Sequence, residues 1–411
     1  MMVQDKRVTV MGLGRFGGGL GVTKWLLGQG ANVLLTDLAS KEELAEQLAE
    51  LGSHSNLQIV FGEHRVEDFS SADVVIANPA IPMPWENVYL QAAWDAGVVV
   101  TTEIELLIQQ LDRKNVIGVT GTSGKSTTAS MIHEALCSSG IPCHLGGNLG
   151  GSLLGELSSI GHKDIVVLEL SSAMLWWIEK GGQWSPSVAV LTTIEPNHID
   201  WHGSFDAYKS CKEVIFAHQE EGDTSLTQDA EATFGGLAVL GKHNERNAAV
   251  AFLAAIAVGA ESKDARVGIQ NFRGLSHRLQ FVRKSFYNDS KSTTPSATKL
   301  AVDSMDDASL VHLIVGGYDK HIDLSLLAKQ SERVCCMYTI GATRNAIAEL
   351  ALGEVRCVET LDKAVCEAVA NMKEGDVLLL SPGCASWDQF DNYEERGDLF
   401  CELVKEVSAR Q

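Results

Sequence analysis

Short apolar runs rich in β-branched residues alternate with helical patterns along the whole chain. Val8–Met11, Val33–Thr36 and Val74–Ala77 are typical of buried strands, and a helical pattern at Gly19–Leu27 lies between the first two. Parallel strands need a crossover connection, which is usually a helix. This order therefore predicts α/β domains built on parallel sheets.

The length of the chain predicts more than one domain, since 411 residues exceed what one ordinary core encloses. A charged break at 112–115 precedes a new strand at Val116–Thr120, and the segment Gly268–Ser276 has the Gly, Asn and Ser content of a linker. We therefore predict three domains, at residues 1–112, 113–274 and 275–411.

Composition narrows the class of function. The formal charge of −20 disfavours nucleic acid as a partner, because nothing would offset phosphate repulsion. The N-terminus has no secretory signal pattern, and no stretch is apolar enough to insert into a membrane, so we expect a cytoplasmic protein. The nine cysteines show no CxxC pair and no zinc-like spacing with histidine, which predicts reduced, mostly buried thiols.

A first glycine-rich loop, Gly12-x-Gly14-x-x-Gly17, lies between a predicted strand and a predicted helix, and Asp37 ends the next strand. Glycines at this spacing permit a tight turn and close approach of a phosphate to the helix N-terminus. The pattern predicts a nucleotide-containing ligand. Taken alone it also fits an NAD-dependent oxidoreductase, or a turn that only packs a helix on a sheet.

A second loop carries a stronger signal for nucleotide binding. Residues 120–128 read TGTSGKSTT between a strand and a helix. Backbone amides of such a loop cradle phosphate oxygens, Lys125 reaches the terminal phosphates, and the Ser126 hydroxyl is placed to bind Mg²⁺. The alternative, a helix start capped by Ser123, explains less of the pattern.

Two further segments supply acidic and imidazole groups. Glu169 ends the apolar strand 165–169, where a carboxylate beside a phosphate loop is expected to bind Mg²⁺. The run 197–202, Asn-His-Ile-Asp-Trp-His, follows another strand, and His198 lies where a third element of the same site would fall. A purely structural histidine is the alternative.

These motifs together resemble the Mur ligase family, which builds the peptide of bacterial cell-wall precursors. The resemblance runs nearly end to end and is carried by Gly121–Thr128, Glu169–Ser172, Asn197–Gly203, Gly241–Asn247, Ser276–Arg278 and Asn288–Lys291. Within the family, the runs Gly316–Lys320 and Leu380–Phe390 resemble the branch that adds D-glutamate to UDP-N-acetylmuramoyl-L-alanine. The resemblance implies a Rossmann-like N-terminal domain for the UDP-sugar, a P-loop-type central ATPase domain and a Rossmann-like C-terminal domain for the amino acid, in a protein that we expect to be a monomer.

The resemblance also implies roles for individual residues. ATP would activate a carboxylate as an acyl phosphate that the amine of D-glutamate attacks, with two Mg²⁺ ions. Lys125, His198 and a Lys212 carbamylated by CO₂ would be catalytic, and the metal ligands would be Ser126, Glu169, His198 and Lys212. The remaining matches fall into three groups: ATP contacts at Gly121, Thr122, Ser123, Gly124, Lys125, Ser126, Thr127, Asn247, Arg278 and Asp289; UDP-sugar contacts at Gly14, Arg15, Phe16, Asp37 and Asn148; and D-glutamate contacts at Lys291, Thr293, Lys320, Ser386 and Tyr393.

Some positions depart from the family pattern, mostly around the substrates. Where the family usually has Ser-Pro-Gly, this chain has Asn78-Pro79-Ala80, and where it usually has Phe-Gln, this chain has Ala173-Met174. Thr294 replaces a usual Asn, and Tyr393 replaces a usual Phe. The stretch between His218 and Gly241 is also short.

Three alternatives to the D-glutamate branch are another amide ligase of the Mur or folylpolyglutamate type, the oxidoreductase, and a non-catalytic nucleotide-binding regulator.

Overall fold

The structure is a computed structural model that describes residues 2–13, 18–149, 151–229, 233–283, 285–320 and 323–409. Three sheets carry its strands in this part of the chain. Among the same residues, no helix is both long enough and apolar enough to span a membrane.

The first sheet has five parallel strands in the order β3-β2-β1-β4-β5. The strands are β1 (Arg7–Met11), β2 (Asn32–Asp37), β3 (Leu57–Phe61), β4 (Val74–Ala77) and β5 (Val99–Thr102). The helices are α1 (Gly18–Gly28), α2 (Ala45–Leu51), α3 (Val66–Ser70), α4 (Val88–Asp95) and α5 (Glu103–Ile108). This strand order confirms the Rossmann-like prediction, and it directs the loops after β1, β2 and β4 to one edge of the sheet.

The second sheet is also five-stranded and parallel, in the order β10-β9-β6-β8-β7. Its strands are β6 (Val116–Thr120), β7 (Cys143–Gly147), β8 (Ile165–Glu169), β9 (Val188–Leu191) and β10 (Thr224–Thr227). Its helices are α6 (Lys125–Ser138), α7 (Ser172–Gly181), α8 (Ile199–His202), α9 (Phe205–Ala217), α10 (Lys242–Ala257) and α11 (Ser262–Asn271). The central strands β6, β8 and β9 are buried throughout, as strands covered on both faces must be.

The third sheet has six strands in the order β11-β12-β16-β13-β14-β15, and only the edge pair β11–β12 is antiparallel. The strands are β11 (Gln280–Arg283), β12 (Phe286–Asn288), β13 (Val311–Gly316), β14 (Cys336–Ile340), β15 (Val355–Cys357) and β16 (Val377–Leu380). The helices are α12 (Pro295–Asp303), α13 (Ser325–Ala328), α14 (Arg344–Leu350), α15 (Leu361–Asn371) and α16 (Tyr393–Ala409).

Contacts group the chain into two compact units. Residues 1–232 and 246–269, with the first two sheets, form one unit; residues 233–245 and 270–411, with the third sheet, form the other. The predicted domain ends at 112 and 274 stay predictions. The linker predicted at Gly268–Ser276 is wrong in its first part, because α11 continues to Asn271. Gly268 serves packing there, since a Cβ at this position would lie 2.4 Å from the carbonyl oxygen of Glu134.

The prediction of mostly buried thiols is also wrong. Of the nine cysteines only Cys336 and Cys384 are buried, and four are exposed. Although the sequence shows no zinc-like spacing of cysteine and histidine, His133, Cys137 and Cys143 come together in the second sheet's domain. Sequence spacing missed this cluster because two of its members lie on a helix and the third on the following strand.

Candidate functional site

The second glycine-rich loop, residues 121–124, joins β6 to α6, as predicted, and is called the phosphate loop below. Its two glycines are required by the backbone geometry. Gly121 has φ +147° and Gly124 has φ +86°, conformations that side chains disfavour. A Cβ on Gly121 would lie 1.9 Å from the Thr192 hydroxyl, and one on Gly124 would lie 2.5 Å from Asn247 Oδ1. The backbone therefore turns sharply here and delivers the N-terminus of α6 at the strand edge, where amides attract anions.

Hydroxyl groups after β9 hold the loop in place. The Thr122 amide donates to the carbonyl of Thr193 at 2.6 Å, and the Thr192 hydroxyl donates to the carbonyl of Ser123 at 2.6 Å. The Thr122 hydroxyl also lies 2.9 Å from the hydroxyl of Tyr208 on α9. Lys125 Nζ donates to the Thr122 carbonyl at 3.0 Å. Since the chain's own groups fix this loop, a ligand does not have to order it.

Glu169 ends β8 beside the loop and is 1 % exposed. Its Oε1 accepts a hydrogen bond from Asn148 Nδ2 at 2.8 Å, while its Oε2 is buried with no hydrogen-bond partner among the described residues. A buried carboxylate oxygen without a partner is costly unless a cation or a donor arrives. The hard oxygen donors of Glu169 and of Ser126, at the start of α6, fit Mg²⁺.

Lys212, on α9, is 2 % exposed, which is rare for a lysine. Its Nζ donates to the Gly121 carbonyl at 2.7 Å and lies 4.7 Å from the centre of the Tyr208 ring. Burial, assisted by the charge of Lys125, lowers the pKa of Lys212 to about 7. The amine is therefore largely neutral near pH 7.5, whereas an ordinary lysine is almost entirely charged there.

The histidine segment adopts the short helix α8. His198 is exposed and has φ +50°, an uncommon conformation for a residue with a side chain. His202, which the sequence analysis did not select, is 5 % exposed and lies 2.9 Å from the Ser172 hydroxyl. Burial lowers the pKa of His202 to about 4, with a smaller contribution from His198, so its ring is neutral at physiological pH.

One cavity of about 520 Å³ is lined by several of these groups, although Glu169 and Ser126 are not among its lining residues. Gly12 and Asn78, from loops of the first sheet, line one side, and Gly121 and Lys125 line another. The other predicted site residues on its wall are Thr122, Asn148, His198 and Lys212. Two of the runs that depart from the family pattern, Asn78-Pro79-Ala80 and Ala173-Met174, also line it. Loops at the edge of the first sheet and the phosphate loop therefore line the same cavity.

The predicted UDP-sugar residues have different outcomes. Gly14, Arg15 and Phe16 lie outside the described residues. Asp37 accepts hydrogen bonds from the amides of Leu13 and Ala39, both at 2.8 Å, so its carboxylate shapes the loop after β1.

The nucleotide residue Asn247 lies on α10 in the first unit, where its Oδ1 accepts from Gln228 at 2.7 Å. In the second unit, Asp289 follows β12 and is 5 % exposed, with its oxygens accepting from the Leu279 amide at 3.1 Å and the Ser381 hydroxyl at 2.7 Å. Burial raises the pKa of Asp289 to about 6. Arg278 is exposed two residues before β11.

The predicted D-glutamate residues all belong to the second unit. Lys291 Nζ lies 5.1 Å from the centre of the Tyr393 ring, and Lys320 Nζ lies 5.5 Å from the centre of the Trp387 ring. Ser386 is 2 % exposed in the loop after β16. Thr293 is half-buried, and the next residue, Thr294, caps α12 through its hydroxyl, which accounts for a threonine there. Two ammonium groups held against aromatic rings suit an anionic ligand.

Arg396, which the sequence analysis did not select, organises this region. It is 1 % exposed, and its guanidinium donates to the Ser290 hydroxyl at 3.0 Å, the Ser290 carbonyl at 2.9 Å and the Cys384 carbonyl at 3.2 Å. It thereby ties the loop that carries Asp289 and Lys291 to the loop that carries Ser386. A single arginine in a C-terminal helix gives no sequence signal for this role.

Three domain families match the chain in order. They are the Mur ligase MurD-like N-terminal domain over residues 6–102, the Mur ligase middle domain over 119–235, and the Mur ligase glutamate ligase domain over 277–384. Together with the parallel sheets, the phosphate loop and the buried carboxylate and lysine, these matches define the class: the chain belongs to the Mur ligase family.

Similar proteins indicate which branch of the family the chain resembles most. The chain is 32 % identical to the UDP-N-acetylmuramoylalanine–D-glutamate ligase of Pelotomaculum thermopropionicum, with 97 % of each covered, and 33 % identical to that of a Roseiflexus species, with 98 % and 99 % covered. Among solved structures, it is similar to the UDP-N-acetylmuramate–alanine ligase MurC of Thermotoga maritima, with a TM-score of 0.56, 19 % identity, and 98 % and 100 % covered. It is also similar to the MurF ligase of Thermotoga maritima in complex with ADP, with a TM-score of 0.53, 15 % identity, and 100 % and 96 % covered.

Proposed function

We propose that this protein is an ATP-dependent amide ligase that adds D-glutamate to UDP-N-acetylmuramoyl-L-alanine in the synthesis of peptidoglycan precursors. The observation that carries the proposal is the shared cavity, in which Lys125, Lys212 and the loops of the first sheet face one space. Full-length similarity to D-glutamate-adding relatives supports the choice of substrates.

The reaction first makes a poor acyl donor reactive. The acceptor carboxylate attacks the terminal phosphorus of ATP, an acyl phosphate forms and ADP leaves. Lys125 and the amides at the start of α6 would stabilise the charge of the transferring phosphoryl group. Ser126 and Glu169 would hold the nucleotide's Mg²⁺, which lowers the charge on the phosphates when bound.

Lys212 supports a second cation site only if its charge changes sign. The neutral amine attacks CO₂, a C–N bond forms, and one proton leaves to water, so that the product is a carbamate anion. Burial favours this step because it lowers the pKa of the amine to about 7, so that much more of it is neutral than in an ordinary lysine. The carbamate oxygens, with His198, would then hold a second Mg²⁺ in the same cavity.

The amine of D-glutamate then attacks the acyl carbon of the acyl phosphate to form a tetrahedral intermediate, which loses a proton from nitrogen to water and expels phosphate, leaving an amide bond. Lys291, Thr293, Lys320, Ser386 and Tyr393 are the residues that we assign to D-glutamate. Two lysines and three hydroxyl groups match a dicarboxylate, and the lysine cations held on the rings of Tyr393 and Trp387 are already oriented.

A phosphate-release assay tests the proposal directly. The purified chain is given ATP, Mg²⁺ and UDP-N-acetylmuramoyl-L-alanine with a panel that includes D-glutamate, L-glutamate, L-alanine and a diamino acid. We expect phosphate release with D-glutamate, and a product whose mass includes one added glutamate. Release with L-alanine instead, or release only with a folate acceptor and L-glutamate, would assign the chain to another branch of amide ligases.

A further inference from the structure

We propose that His133, Cys137 and Cys143 form a binding site for one soft divalent cation of the zinc class, separate from the nucleotide's Mg²⁺. The side chains offer one imidazole nitrogen and two sulfurs, and these three ligand atoms lie within 4.8 Å of one another. This is a donor set that zinc prefers and magnesium does not.

Local geometry brings the three residues together. His133 and Cys137 are four residues apart on α6, so they lie on one face of the helix. The helix ends at Ser138, and Gly140, two residues further on, has φ +68° and an amide that donates to the Cys137 carbonyl at 3.0 Å. This turn leads the chain back beside the helix, so that Cys143, the first residue of β7, faces the same place.

The distances match a tetrahedral zinc ion. The two sulfurs are 3.5 Å apart, and Cys137 Sγ lies 3.8 Å from the nitrogens of the His133 ring. With Zn–S near 2.3 Å and Zn–N near 2.0–2.1 Å, tetrahedral angles place two sulfurs about 3.8 Å apart and a sulfur and a nitrogen about 3.5 Å apart. These two separations lie within a few tenths of an ångström of the tetrahedral values, the separation of Cys143 Sγ from the His133 ring nitrogen is below 4.8 Å, and water would complete the fourth position.

Access from solvent also fits a reversible site. Cys137 is exposed, whereas His133 and Cys143 are half-buried, so an ion can enter from solvent. Binding of the ion displaces the thiol proton to solvent, as thiolate ligation requires.

The site would join two elements that lead to the nucleotide site. α6 begins at Lys125, and Cys137 lies about 18 Å further along the helix axis. β7 ends at Gly147, directly before Asn148, whose amide group contacts Glu169. A cation near the C-terminal end of α6 would therefore link the helix of the phosphate loop to β7, the strand that leads to Asn148. It would not contact the nucleotide or its Mg²⁺.

Cadmium titration tests the proposal, because cadmium–thiolate bonds absorb in the ultraviolet. The full-length chain is stripped with a chelator, reduced with a phosphine, checked by a thiol count and titrated with Cd²⁺. We expect the band to saturate at one equivalent per chain, and Zn²⁺ to remove it by competition. A fully reduced chain that develops no band would overturn the proposal.

Matched variants locate the site. Cys137→Ser and Cys143→Ser should each weaken binding at least tenfold and reduce the band, and His133→Ala should weaken binding while keeping the band. Cys335→Ser is the control: this thiol lies near His312 and Asp376, but the His312 ring nitrogens already bond Tyr338 and Asp376 at 3.1 Å. Lys125→Ala should bind Cd²⁺ normally even if the proposed ligase activity is absent. Loss of binding in Cys335→Ser alone, or unchanged binding in both Cys137→Ser and Cys143→Ser, would show that the site is not here.

Discussion

The side-chain nitrogen of Lys212 donates a hydrogen bond to the carbonyl oxygen of Gly121 at 2.7 Å, although the two residues are 91 positions apart in the chain. The contact joins a helix of the second sheet's domain to the first glycine of the phosphate loop. It is made by a buried lysine close to another lysine, Lys125, whose charge disfavours protonation. A buried lysine with a lowered pKa beside a glycine-rich loop is a candidate functional group rather than a solvated surface charge.

The first prediction concerns Lys212 itself. Lys212→Ala should lower the rate of phosphate release by orders of magnitude, because the proposed carbamate supplies the oxygens of the second metal site. Acetate should restore part of the rate by filling the vacated position, and this is measured as phosphate release against acetate concentration.

Lys209→Ala is the matched control for that measurement. Lys209 lies on the same helix but is exposed and paired with Glu213 at 3.7 Å, so its loss should change the rate little. If Lys212→Ala keeps full activity, the carbamate role is wrong. If the variant is inactive and acetate has no effect, the lysine acts in another way and the carbamate has no support.

The second prediction concerns Lys125. Lys125→Ala should reduce phosphate release about 100-fold or more, because the transferring phosphoryl group loses its nearest fixed cation. The thermal midpoint should hardly change, since Lys125 is not part of the core. Lys114→Ala, an exposed lysine just before β6, is the control and should retain activity. A folded Lys125→Ala with normal turnover would contradict the assignment of the ATP site.

Some of this architecture could be predicted because its causes are local. Val116–Thr120 and Val74–Ala77 are apolar, β-branched and fully buried, and the predicted limits of these strands coincide with β6 and β4. The strands Cys143–Gly147 and Thr224–Thr227 were not predicted. They form the two edges of the second sheet and carry glycine, histidine and hydroxyl groups rather than an apolar run.

The candidate site also contains features that the sequence predicts locally and features that depend on distant residues. The loop around Gly121 and Gly124 could be identified from spacing, because positive φ angles and a helix start leave a mark in the sequence. The burial of Lys212, the partnerless oxygen of Glu169 and the bracing by Arg396 depend on residues far away in the chain. Tertiary contacts of this kind have no local pattern, so only the resemblance pointed to Lys212 and nothing pointed to Arg396.

The third prediction concerns the amino acid. D-Glutamate should support turnover and L-glutamate should not, because a pocket that fixes both carboxylates misplaces the amine of the wrong enantiomer. Lys320→Ala should lower kcat/KM for D-glutamate about 10- to 100-fold, the loss of one charge-assisted hydrogen bond. Lys329→Ala, an exposed lysine of the same unit, is the control. Equal rates with both enantiomers would remove the basis for the D-glutamate assignment.

The last prediction concerns Glu105, a carboxylate buried at the start of α5 and 4 % exposed. Its Oε2 accepts from the hydroxyls of Thr101 and Thr102, at 3.2 and 2.9 Å, but burial outweighs these bonds and raises the pKa of Glu105 to about 7. The folded state therefore binds this proton more tightly than the unfolded state. Its contribution to the free energy of unfolding is largest below about pH 4.5 and is lost as the pH rises to about 7, a change of about 3 kcal/mol.

Glu105→Gln should remove this dependence, because a neutral amide never has to ionise inside the protein and its oxygen still accepts from the two threonines. The variant should melt above the parent at pH 8 and close to it at pH 5, as measured by thermal midpoints at both values. Glu86→Gln, an exposed glutamate of the same unit, should melt with the parent at both. A difference between Glu105→Gln and the parent that is the same at pH 5 and pH 8 would mean that packing, and not ionisation of the buried carboxylate, sets the effect.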